Sequence, residues 1–139
     1  MKVVSCARAA VALAALLAAG TALACGHCVE DRIAAVYDHA LVQRTHAGRR
    51  QIAWFAWDGP LARDESSRRR ILALVEAVPD VDKGGVRVSV EPGAIAVAFD
   101  PRRSSGAAVA AALGARLRTL NLVIVPLQAP PPAPGPASS

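Results

Sequence analysis

"LVEAVPDVDKGGVRVSVEPGAIAVAFDP" (residues 74–101) contains the clearest indication of the fold in this sequence. Polar and apolar residues alternate over 86–91, Pro92-Gly93 follows, and small alanines alternate with bulky Ile95, Val97 and Phe99 over 94–99. Alternation with period two on both sides of a Pro-Gly turn is typical of a β-hairpin. Apolar residues at helical spacing lie upstream and stop at Pro79, so the stretch predicts a helix followed by two antiparallel strands.

The flanking sequence extends this pattern in both directions. Upstream, QIAWFAW (51–57) reads as a strand, and Asp64 or Ser66 can cap the helix that ends at Pro79. Downstream, a second helix starts at Ser104 or Ser105, and residues 120–125 supply the last strand. The order β-α-β-β-α-β predicts an α+β, ferredoxin-like βαββαβ sandwich, with one four-stranded antiparallel sheet and both helices on one face.

The stretch 74–101 resembles the heavy-metal-associated domains of copper chaperones and transport ATPases. In those domains a helix ends at a Pro-Gly-Val type turn, and a later strand ends with Asp-Pro. The resemblance covers roughly residues 52–126. It implies a metal ion, copper in the first instance, bound by a Cys-x-x-Cys motif in the loop after the first strand. The corresponding loop here, DGPLARDESS, contains neither cysteine nor histidine, so the implied site is absent from its usual position.

The amino terminus predicts export. Residues 1–24 combine basic Lys2 and Arg8, an apolar run and the small-residue context Ala-Leu-Ala, as secretory signal peptides do. We therefore expect a periplasmic or secreted protein, with a retained anchor as the alternative reading. Cleavage after residue 24 would place Cys25 first, where lipoproteins carry their lipid, so an anchor at Cys25 is a further alternative.

Residues 25–28, CGHC, hold both cysteines of the mature chain. The apolar spacing of Val29, Ile33, Val36 and Tyr37 predicts an additional amphipathic helix over 26–43. We expect those four residues to be buried against the first strand, on the sheet face that the other helices leave open, and we expect the helix to run antiparallel to that strand. CGHC would then lie at the end of the sheet (its pole) where the 58–67 loop is. A dimer contact covering that face is the alternative.

The chemistry of CGHC leaves several hypotheses open. Thiolates of Cys25 and Cys28 suit a soft ion such as Cu(I), which needs few ligands. A free amine at Cys25 with His27 in third position resembles the amino-terminal motif that binds Cu(II) and Ni(II). The tetrapeptide is also identical to that of protein disulfide isomerases, which implies a thiol-disulfide role, and a structural disulfide in a partner-binding domain is the third reading.

The rest of the chain limits the other functions. The mature chain, about 115 residues, keeps 14 basic and 11 acidic residues once Lys2 and Arg8 are removed, and its scattered charge argues against nucleic-acid binding. His39 and His46 are expected to face solvent, and no nucleophile with a supporting base can be assembled, so no enzyme is predicted.

We expect a single domain over 25–127 and a disordered Pro-rich tail over 128–139. The expected partners are a metal ion and a metal-transfer or redox protein.

Overall fold

The computed structural model describes residues 28–128. Their helices are α1 (Val29–Val36), α2 (His39–Ala47), α3 (Glu65–Glu76) and α4 (Gly106–Leu117), with a 3₁₀ turn at Arg118–Leu120. The strands are β1 (Gln51–Asp58), β2 (Val81–Ser89), β3 (Ala94–Phe99) and β4 (Val123–Leu127). The predicted signal segment 1–24, Cys25, His27 and nearly all of the predicted tail lie outside the described residues, so the predictions made for them stay predictions.

The sheet has the strand order β2-β3-β1-β4, and every neighbouring pair is antiparallel. With α3 linking β1 to β2 and α4 linking β3 to β4, this is the split βαβ arrangement. The predicted α+β, ferredoxin-like fold is therefore confirmed. Within the described residues, no helix has the length and apolar character needed to cross a membrane.

The main core lies between the sheet and the pair α3 and α4. Side chains alternate between the two faces of a strand, so Phe55 and Trp57 of β1 and the bulky residues of β3 point to this side. Both helices face them with apolar residues three and four positions apart, as in an amphipathic helix. The buried side chains include Phe55, Trp57, Ile95, Val97 and Phe99 from the strands and Ile71, Val75, Val109, Leu113 and Leu117 from the helices.

The opposite face carries the amino-terminal helices, as predicted, although not as one helix. The chain turns extended at Tyr37 (φ −72°, ψ 124°), and Asp38 caps a second helix by accepting a hydrogen bond from the Leu41 backbone N–H at 3.0 Å. The single helix predicted over 26–43 is therefore wrong, because a capping aspartate within it starts a new helix. An Asp three residues before Leu41 was the signal that could have revealed the break.

Helix α1 packs on β3 and β2, where Val36 lies on Ala94 and Ala96. Ile33 and Val36 are buried as predicted, but Val29 is 42% and Tyr37 51% exposed. Burial of those last two residues was predicted wrongly, because the break after Val36 turns Tyr37 outward, where it stacks on Trp54 with ring centroids 6.4 Å apart. The predicted packing against β1 is confirmed in part, since Val36 also packs with Ile52 and Trp54 of β1, but α1 lies mainly over β3 and β2.

Two strand boundaries also differ from the sequence prediction. β2 begins at Val81 rather than at Val86, with an irregular segment between the pairs Val81↔Phe99 and Val86↔Val97. The last strand begins at Val123, because residues 118–120 form a 3₁₀ turn and Asn121 takes a left-handed conformation (φ 57°). Alternation alone could not predict these boundaries, because glycines interrupt the pattern in β2 and a 3₁₀ turn extends α4 before the last strand.

Candidate functional site at the pole of Cys28

The direction of α1 decides where Cys28 lies. Near its start, Arg32 Nη2 lies 3.8 Å from Asp58 Oδ1 at the end of β1. At its end, Val36 rests on the first half of β3, and Asp38 pairs with Arg87 in the middle of β2. The chain therefore runs antiparallel to β1, as the sequence predicted. The amino terminus of α1 lies at the sheet pole where β1 ends and the β1–α3 loop begins.

Cys28 is the residue that caps α1. Its backbone is extended (φ −56°, ψ 159°), its carbonyl accepts the hydrogen bond of the Arg32 N–H at 3.2 Å, and its thiol makes no capping bond. The side chain is exposed, and Cys28 is the only cysteine among residues 28–128. One helical turn separates it from Arg32 and hence from the contact with Asp58. Cys28 is therefore positioned by backbone hydrogen bonding, with its sulfur free for other chemistry.

The pole itself is a rigid platform. Trp57, fully buried, receives the guanidinium of Arg63 over its indole ring at 4.1 Å from the ring centroid, and Arg63 Nη1 donates to the Val90 carbonyl at 2.7 Å. The backbone N–H of Trp57 donates to the carbonyl of Gly93, which has φ +68°. A Cβ on Gly93 would lie 2.4 Å from the Trp57 oxygen, so only glycine fits here. These contacts tie the β1–α3 loop to the β2–β3 turn.

Three carboxylates of the β1–α3 connection have local partners. Asp64 caps α3, and the hydrogen bond from the Ser67 N–H, 2.8 Å long, lowers the pKa of its carboxyl. Hydrogen bonds from Arg68 lower the pKa of Glu65 to about 2. The interpretation of Asp64 and Glu65 as cap and first-turn residues is therefore confirmed. Asp58 contacts Arg32, so each of these three carboxylates has a local structural contact.

The ligand inventory points back to the cysteines. In the part of the chain that the structure describes, no three His, Cys, Asp or Glu side chains come close enough to hold a metal ion. His39 and His46 are exposed on α2, as expected, and His39 Nε2 lies 2.9 Å from the Gln43 amide nitrogen. A four-ligand zinc site cannot be built from residues 28–128 alone, whereas a soft monovalent ion needs only two thiolates. Of the predicted ligands, Cys28 is described, and Cys25 and His27 lie outside the described residues.

An apolar surface adjoins Cys28. Val29 follows it directly, and a shallow depression of about 290 Å³ is lined by Glu30, Ile33, Ala34 and Tyr37. Val29 and Tyr37 are both exposed, so α1 has apolar surface at its two ends in addition to the acidic residues of its first turn, Glu30 and Asp31. Exposed apolar surface of this kind is common where proteins contact each other. Sequence reasoning missed it because it assigned both residues to the core.

Comparison with known proteins finds a likeness in solved structures alone. No protein-family model matches the chain, and no curated protein matches it. Oxidized MerP from Ralstonia metallidurans CH34 is 18% identical over 57% of this chain and 99% of its own, with a TM-score of 0.46. The amino-terminal domain of the zinc(II) ATPase ZiaA in its apo form is 17% identical over 64% of this chain and 79% of its own, with a TM-score of 0.43.

Proposed function

We propose that the chain is a small exported metal-binding module, not an enzyme, whose cargo is a thiophilic ion such as Cu(I) held by the thiolates of Cys25 and Cys28. The observation that carries the proposal is the position of Cys28. The loop after β1 contains neither cysteine nor histidine, and α1 brings a cysteine to the same pole from the other side of the sheet. Cys25 precedes it by three residues, which is close enough in sequence for both sulfurs to bind one ion.

The exposed thiol of Cys28 fits transfer better than storage. An ion held by two thiolates at the surface can be passed to an incoming thiolate by ligand exchange, whereas a closed four-ligand site would have to open first. Val29, the next residue, and Tyr37, at the other end of α1, are exposed apolar residues and would contact the partner that gives or takes the metal. The proposal thus includes a metal-transfer partner at the α1 surface.

Titration of Cu(I) into the reduced protein, starting at Cys25 and competing with a colorimetric chelator, tests the proposal. We expect one tightly bound ion with two sulfur ligands in X-ray absorption, lost in both Cys25→Ser and Cys28→Ser. His39→Ala is the matched control, since it removes a soft-metal ligand from the exposed surface of α2 and should leave the affinity unchanged. Tight binding that survives Cys28→Ser would contradict the proposal.

The thiol-disulfide alternative predicts a different result from the same protein. An exposed Cys28 could attack a substrate disulfide, with Cys25 as the resolving thiol. A reduced protein that reduces or reshuffles protein disulfides catalytically and takes up no Cu(I) would establish that role in place of metal binding. If the cysteines form a disulfide that neither turns over nor yields a metal site on reduction, the structural reading holds.

The processed terminus adds a Cu(II) hypothesis. Cleavage after Ala24 would give Cys25-Gly26-His27, in which the amine, two backbone amides and the imidazole of His27 supply four in-plane nitrogens. We expect the oxidised mature protein to give the electron spin resonance pattern of a square-planar nitrogen site. That signal should vanish in His27→Ala and when one residue is added before Cys25. The intact mass of protein from its native envelope decides in advance whether the amine is free or lipidated.

A further inference from the structure

A second cavity lies at the opposite end of the sheet from Cys28, and the proposed function makes no use of it. Its volume is about 410 Å³, within the range of small-molecule sites. Helix α2 forms one wall, the irregular segment of β2 forms the other, and Ala98 of β3 lies between them. The lining residues that matter here are Leu41, Arg44, Arg50, Asp82, Lys83 and Ala98.

The irregular segment of β2 creates the space. Between the pairs Val81↔Phe99 and Val86↔Val97, β2 advances five residues and β3 two, so β2 carries three extra residues. Gly84 takes the left-handed conformation that the bulge requires (φ +77°). Gly85 lies so close to β3 that a Cβ there would be 2.8 Å from the Ala98 Cβ. The two glycines therefore fold the segment outward at Lys83 and back onto the sheet.

The cavity has more positive than negative charge. Arg50 Nη1 donates to Asp82 Oδ1 at 2.7 Å, so these two groups neutralise each other, and Asp100, 3.8 Å from Arg50, is paired with Arg102 at 3.1 Å. Arg44 and Lys83 have neither an ion pair nor a side-chain hydrogen bond among residues 28–128. They come from opposite walls of the cavity, Arg44 from α2 and Lys83 from the bulge.

We propose that this cavity binds a small oxyanion ligand with two or more negative charges, on phosphate or carboxylate groups, between Arg44 and Lys83. A planar guanidinium matches the oxygens of a carboxylate or phosphate with two parallel hydrogen bonds, and the lysine ammonium supplies a compact charge from the other side. The Arg50–Asp82 ion pair fixes the wall from which Lys83 projects. Leu41 and Ala98 give the interior an apolar surface, so the ligand is a compact molecule with its charges at its ends.

Titration of the metal-free, ¹⁵N-labelled protein with pyrophosphate and with citrate, followed by amide chemical shifts, tests this site. We expect saturable shifts confined to residues 41–50 and 82–85. Arg44→Gln and Lys83→Gln should each weaken binding at least about tenfold, which corresponds to about 1.4 kcal/mol. Arg70→Gln is the matched control, because it removes one exposed arginine from α3 on the other side of the sheet and should leave the affinity unchanged.

Shifts of equal size with sodium chloride at matched ionic strength, or binding that both cleft variants retain, would overturn the proposal. Binding to anionic lipid vesicles without saturable binding of either soluble anion would also overturn it, in favour of a membrane surface. Circular dichroism of each variant separates loss of the ligand from loss of the fold. The outcome does not depend on the cysteines, so it is independent of the copper titration.

Discussion

The two faces of the sheet are covered by helices in different ways. On the α3/α4 face, Phe99, Ile95 and their neighbours meet a full set of buried helix side chains. On the α1/α2 face, β3 presents only alanines at 94, 96 and 98, so α1 can lie close to the strand but buries little side-chain volume. Because apolar stabilisation follows the area buried, the helix that carries Cys28 is the more weakly held one. The candidate site is thus built on the less stable layer.

Phe99→Ala tests the stronger face and should have the largest effect. Phe99 is 2% exposed in the α3/α4 core, and truncation of a buried phenylalanine costs about 3 to 5 kcal/mol. Urea unfolding followed by tryptophan fluorescence measures the loss. A loss below that of the α1-face variants would reverse the ranking of the two faces.

Ile33→Ala tests the weaker face with a comparable change. Ile33 is 8% exposed on α1, and we expect a loss of about 2 kcal/mol, at the lower end for buried isoleucine to alanine. Native-state hydrogen exchange should show α1 amides opening well before those of β3. Equal protection of the two elements would show that α1 is as firmly held as the core.

Ala96→Leu asks whether the small residues of β3 matter to the close approach of α1. Ala96 is fully buried beneath Val36, so added carbons must push the helix away, at a cost of about 1 to 3 kcal/mol. The measurement is the unfolding midpoint together with exchange of the α1 amides, which should lose protection. An unchanged midpoint and unchanged protection would mean that α1 can shift without loss.

Acid should weaken the same face through Asp38, with the smallest effect of the four. The hydrogen bond from the Leu41 N–H, followed by those from Arg87, lowers the pKa of Asp38 in the folded protein. A lowered folded pKa means that its stabilisation is present above about pH 4, the unfolded value, and is lost as the pH falls through the folded pKa.

The unfolding midpoint of the wild type should therefore fall more steeply than that of Asp38→Asn as the pH drops below about 4. Arg87→Gln is the control for this comparison, since it removes the ion pair and keeps the cap, and it should retain part of the acid dependence. Parallel pH profiles for wild type and Asp38→Asn would show that Asp38 does not cause the loss of stability in acid.

The features that could be predicted from the sequence are those set by periodicity. The alternation of bulky Ile95, Val97 and Phe99 with small Ala94 and Ala96 predicted both the strand and the open face that α1 covers. The order of elements then predicted the ferredoxin-like topology. These succeed because a period of two or 3.6 is written in every few residues.

The missed features depend on single residues and on distant contacts. The break at Tyr37 comes from one capping aspartate, whose other oxygen binds Arg87 on a strand far along the chain. The bulge at Gly84 interrupts alternation just where alternation was the guide. In the candidate site, the pole was predicted from helix length and direction, but the contact of Arg32 with Asp58 that fixes it was not readable from spacing.

The contact between Asp38 and Arg87 also has a consequence for the order of folding. It joins residues 49 positions apart, and Arg87 lies on a strand that exists only when the β2–β3 hairpin has formed. Since closing so long a loop is entropically unfavourable until its far end is structured, α1 docks late. During refolding, Cys28 therefore reaches its pole after the β2–β3 hairpin has formed, and an ion bound earlier would be bound to an undocked helix. Stopped-flow refolding with and without Cu(I) should then differ in its slowest phase and not in its fastest.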